Sequence, residues 1–134
     1  MTASHFPTAR ATAAAVAAAL RENNIALADR LVTEILGRVI NAPGDIPAGV
    51  LDAPGTTGDE RYDTLLAVGL AYALHTRGLP PVPWMDAIPP LEQEWLWDGD
   101  GAATPKYREY IRRQTPPMFL EKGLLLRDRD VRIL

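Results

Sequence analysis

The run LLAVGLAYAL, from Leu65 to Leu74, carries no charge on any side. A helix that is apolar all round has no face suited to water, so it belongs at the centre of a fold. The chain is therefore expected to be all-α, with four to six helices packed around a central helix over about 60–77. Its 134 residues suit a single domain, 1–134. A chain of that size buries roughly two-thirds of its unfolded surface, so the core needs no covalent staple. None is available, because there is no cysteine. That removes disulfides, thiolate catalysis and zinc–thiolate sites together, and it fits a cytoplasmic protein.

Two helices are expected before the central one. ATAAAVAAAL, at 11–20, is alanine-rich and runs straight into RENN. It reads as a helix from Thr8 to Arg21 rather than as a secretory signal. Residues 1–7 are expected to fray. Leu27, Leu31, Ile35 and Leu36 recur at helical spacing, which predicts a second helix over Ile25–Ile40 and a short-turned αα-hairpin. Residues 42–58 form a Pro/Gly-rich internal linker, with Ile46, Val50 and Leu51 as its anchors. Thr57 and Glu60 have capping-box spacing at the start of the central helix. Arg77 and Gly78 supply its stop.

The next stretch, GLPPVPWMDAIPPLEQEWLWDGD, holds five of the twelve prolines and all three tryptophans, Trp84, Trp95 and Trp97. A short helix over Leu91–Trp97 fits its composition. Thr104 with Pro105, and Thr115 with Pro116, read as two N-caps each followed by proline at the first helical position. Gly123 reads as a stop. Tyr107, Tyr110 and Ile111 fall on one helix face, with Lys106, Arg108, Arg112 and Arg113 around the other. The tail LLLRDRDVRIL turns strand-like, fitting a short extended piece or a hairpin.

The formal net charge of −3 does not favour nucleic acid in general. The charge is uneven: residues 1–99 carry 6 basic and 12 acidic side chains, and residues 100–134 carry 8 and 5. The basic side of 106–113 is thus the best candidate for a phosphate contact, against the commoner reading of a solvated face. No apolar run reaches the ~20 residues that span a bilayer.

Catalytic and metal-binding patterns do not form. DGDGAATPKYRE begins like a calcium loop, but Ala102, Ala103 and Lys106 stand where ligands and the turn glycine are needed. Asp59, Glu60 and Asp63 could bracket a divalent ion, yet they also suit the positive end of the helix macrodipole. His5 and His75 have no partner that would make a general base. There is no phosphate loop, HExxH or GxSxG. No catalytic residue, metal or cofactor is assigned. The tryptophans have two readings: closure of a small core, or an interface that uses their large rigid area. Trp95 and Trp97 are two apart and diverge by roughly 200° on a helix, so Trp97 is the candidate for the surface.

A likeness enters through TGDERYDTLLAVGLAYALHTRGLPPVPW, LEQEWLW and TPPMFLEKGLLL, within about 57–126. These segments resemble a group of short helical proteins common in actinobacteria. There a Gly-Asp-x-Arg-aromatic-Asp start opens an apolar helix, Gly-Leu-Pro and Pro-x-Trp follow, and Pro-x-x-Phe-x-x-x-Gly closes the domain. The matching residues here are Gly58, Asp59, Arg61, Tyr62 and Asp63; Gly78, Leu79, Pro80, Pro83 and Trp84; and Pro116, Phe119 and Gly123. Glu121-Lys122 departs from the paired arginines that often precede the closing glycine. The resemblance implies an antitoxin-like or regulator-associated protein of a toxin–antitoxin operon. Its function would be to bind and neutralise a toxin encoded nearby, through Trp84, Trp95, Trp97, Arg108, Arg112 and Arg113. Thr57, Asp59, Glu60, Arg61, Asp63, Gly78, Phe119 and Gly123 would be structural. A DNA-binding regulator using 106–113, a small carboxylate enzyme and self-association stay open beside it.

Overall fold

A computed structural model of the chain describes residues 6–132. Alanine-rich α1 (Ala9–Arg21) and amphipathic α2 (Ile25–Ile40) form the hairpin expected from their periodicity. Thr8 caps α1 and Asn24 caps α2, each side chain accepting an N–H from the first turn. Their apolar stripes pack against each other and against α3 (Glu60–Thr76). Eleven of the seventeen residues of α3 are buried, so its charge-free run lies at the centre. At Gly69 a Cβ would come within 2.9 Å of Leu36, which shows how closely α2 and α3 approach.

The rest of the chain wraps this three-helix body. It contains α4 (Pro83–Ala87), β1 (Trp95–Leu96), a 3-10 turn over Asp100–Ala102, α5 (Pro105–Gln114), α6 (Pro117–Leu120), β2 (Leu124–Leu125) and α7 (Asp128–Val131). The chain is predominantly α-helical, as expected. Seven α-helical segments among the described residues exceed the expected four to six because α4, α6 and α7 are pieces of only four or five residues.

Four local expectations are corrected. First, the cap of α3 is Asp59, whose side chain accepts from the Arg61 N–H. The Thr57 hydroxyl instead donates to Asp63 and to the Asp59 carbonyl, and Gly58 turns the chain at φ 85°, leaving Glu60 at the first helical position. Second, no helix covers Leu91–Trp97. Trp95 and Leu96 pair in parallel with Leu124 and Leu125, and the Trp95 N–H donates to the Gly123 carbonyl at 2.8 Å. The strand-like tail is thus one short strand followed by α7, and no hairpin. Third, Thr115 does not cap the next helix. Its hydroxyl donates back to the Ile111 carbonyl and accepts from the Leu126 N–H, and Pro116 takes the cap position. Fourth, Phe6 and Pro7 are half-buried rather than frayed, with the Arg38 guanidinium 5.0 Å over the Phe6 ring. Residues 1–5, with His5, lie outside the described residues.

The 42–58 segment is tied down along its length. Arg77 donates to the Ala42 and Gly44 carbonyls at 2.7 Å each, Ala9 N–H to Val50 O, and Trp84 Nε1 to Leu51 O at 2.8 Å. Gly78 closes α3 at φ 73°. Gly123 sits at φ 83° with Leu91 so near that a Cβ would lie 3.1 Å from it, so both conformation and space require glycine there. Phe119 is fully buried against Tyr72.

Candidate interaction surface

The tryptophan segment is spent on the body. Trp95 is buried, 5.2 Å from the Tyr62 ring and beneath the Arg61 guanidinium at 5.2 Å. Trp97 is half-buried, and its Nε1 donates to Asp29 Oδ1 at 2.8 Å. The same oxygen accepts the Tyr62 hydroxyl at 2.7 Å. Burial and the Asp29 carboxylate together push the Tyr62 phenol well above its ordinary range. Trp84 is also half-buried and holds the linker.

At the start of α3, Arg61 grips Asp59 through Nε and Nη2, at 3.1 and 2.8 Å. That hydrogen bond holds the Asp59 carboxyl below its usual range. Asp63 accepts from the Thr56 hydroxyl and from the Thr57 N–H and hydroxyl. The carboxylates at this helix start thus join linker and tryptophan segment to α3. Among the described residues, no group of three or more His, Cys, Asp or Glu is placed to hold a metal ion. A cleft of about 350 Å³ lies between 53–56, Leu66, Trp84, Ala87 and Ile88. Asp63 is the titratable side chain in its wall, and those threonines already occupy it.

The arginines of α5 divide, and here the expectation of one solvated basic face is corrected. Arg108 turns inward to Asp100 and to the Glu94 carbonyl, the latter at 3.1 Å. Arg112 bridges Glu94 and Glu109. Hydrogen bonding to Arg108 lowers the Asp100 pKa, and hydrogen bonding to Arg112 lowers that of Glu109. Arg113 stays 77% exposed, with a 3.3 Å contact to Glu109. Ile111 is the one buried residue of α5.

With Ile111, Arg108 and Arg112 facing inward, the exposed flank of α5 presents Tyr107 and Tyr110. They are 42% and 55% exposed, with ring centroids 6.1 Å apart. Lys106, Arg113 and Gln114 are exposed on the same side. A shallow cleft of about 300 Å³, lined by Gly99, Ala102, Ala103 and Thr104, opens beside Tyr107. Tyr107 and Tyr110 are the surface aromatics that the sequence reading assigned to the face of Ile111. The angular order of α5 does not separate the two faces, because Tyr107, Tyr110 and Ile111 span about 100° at 3.6 residues per turn just as Arg108, Ile111 and Arg112 do. Glu94 left no local signal, because its partners lie on a different element.

Comparison with known proteins gives no match to a protein-family model, a curated protein or a solved structure. No helix among the described residues is long and apolar enough to cross a membrane.

Proposed function

We propose that this chain is a non-catalytic, cytoplasmic interaction protein: the antitoxin-like partner that binds and neutralises a toxin encoded nearby. The observation that carries the reading is the exposed Tyr107–Tyr110 pair on a helix anchored from behind. Tyrosines bring large, rigid contact area with a polar tip, and such residues concentrate binding energy at protein interfaces. The partner-binding role given above to Trp84, Trp95, Trp97, Arg108 and Arg112 moves to Tyr107 and Tyr110, with Arg113 retained, because the former are engaged within the fold. A DNA contact through 106–113 is the weaker reading, since three of its four cations, Arg108, Arg112 and Arg113, already contact carboxylates.

The test is affinity capture of the tagged chain from native lysate, with co-expression against the neighbouring gene product. A stoichiometric protein partner and relief of toxicity are expected. Tyr107→Ala with Tyr110→Ala should weaken capture by about 2 kcal/mol or more, leaving the fold intact. The proposal falls if the chain elutes alone and co-expression leaves toxicity unchanged. Retention on DNA that collapses with salt would favour the regulator instead.

A further inference from the structure

The two-residue ladder divides the interior unequally. Successive strand residues point to opposite faces. Trp95 and Leu124 therefore enter the main core with α1, α2 and α3, while Leu96 and Leu125 face the other way. There they meet Ile111 of α5, with Ala103 at the edge, in a separate small cluster. α5 supplies no other buried residue. Its remaining ties are the Thr115 hydroxyl, at its C-terminal end, and the contacts of Arg108 and Arg112 with Glu94 and Asp100. Those four charged side chains are 23–37% exposed, so water and salt compete for them. Helices held by few buried apolar contacts open at free energies well below that of global unfolding.

We infer that α5 is a latch: residues 104–116 open from the body as a unit while α1, α2 and α3 stay folded. Opening uncovers Leu96 and Leu125, and it parts Arg108 from Asp100 and Arg112 from Glu94. The outer tyrosine face is present whether the latch is shut or open, so the inference stands apart from the partner reading.

Amide hydrogen exchange of the intact chain at neutral pH tests it. After correction for intrinsic rates, amides 109–114 should exchange on the order of tenfold or more faster than those of 65–74. Raising salt to about 1 M should accelerate the α5 amides and leave α3 unchanged. Ile111→Ala should accelerate α5 by a further order of magnitude, again without α3. If that variant does not fold, Glu94→Gln serves, because it weakens the Arg112 contact without touching the apolar cluster. Equal protection in α5 and α3 would overturn the latch. So would a variant that accelerates both helices by the same factor, because α5 would then open only with the whole molecule.

Discussion

Asp29 joins three parts of the molecule through one oxygen. It sits on α2 and accepts the Tyr62 hydroxyl from α3 and the Trp97 indole N–H from beyond β1. Removing the acceptor leaves the buried Tyr62 hydroxyl and the half-buried Trp97 indole N–H without a partner, which costs about 1–3 kcal/mol for each group. Asp29→Leu is therefore expected to destabilise by about 2–6 kcal/mol, whereas Asp29→Asn keeps an oxygen in place and should cost under about 1 kcal/mol. Urea unfolding followed by tryptophan emission separates the two. Equal losses would mean that packing at position 29, and not the shared acceptor, holds the aromatic residues. The sequence raised the question of whether Trp97 faces the core or a partner. It could not supply the answer, because Asp29 is 68 residues away.

Among the elements, what was legible in the sequence was what is local. α1 and α2 follow from alanine content and helical spacing, and α3 from a charge-free run bounded by capping residues and glycine. The β1–β2 ladder was hidden, because each strand is two residues long and its partner is 29 residues away. Composition at Leu91–Trp97 suits a helix equally well. The caps at Thr57 and Thr115 were misread for a related reason. In each case the right residue type was present, but a tertiary partner, Asp63 or Leu126, engaged the hydroxyl. The 42–58 segment looked loose by composition, and it is fixed by groups from distant elements. That attachment makes a prediction at this scale. Trp84→Phe keeps the ring and removes the donor to Leu51. A hydrogen bond of about 1 kcal/mol corresponds to about fivefold in a local opening equilibrium. Limited proteolysis within 51–56 should therefore run about fivefold faster, with α1–α3 still resistant. An unchanged cleavage rate would assign the linker's order to its other ties, through Arg77, Val50, Arg10 and Asp63.

Across the whole molecule, the response to pH follows from which groups the fold has perturbed. Asp59 and Asp100 lie below their ordinary 3.8, and Glu109 below 4.5, each through a hydrogen bond to an arginine. A carboxyl lowered by folding contributes stability that is fully present above its unfolded pKa and is lost as pH falls through the folded value. Tyr62 and Tyr72 are shifted the other way from 10.0, first by burial and then by their bonds to Asp29 and Asp128. A raised phenol contributes stability that is present below 10.0 and is lost as pH rises beyond it. Stability should therefore form a plateau between about pH 5 and pH 9.5, falling on both sides. The acid limb has an internal order. Protonation of Asp100 removes its tie to Arg108 of α5, a helix with one buried residue, whereas Asp59 sits on a body held by the main core, so α5 loosens first. The alkaline limb acts on Tyr62 and Tyr72, which belong to the central helix, so it should appear as loss of the whole fold. Thermal unfolding across pH, followed by far-ultraviolet dichroism and tryptophan emission together, resolves this. Below pH 4 the dichroism should fall before the emission shifts, and above pH 10 the two should move as one. A single coincident transition on both limbs would mean that α5 and the three-helix body share one cooperative unit.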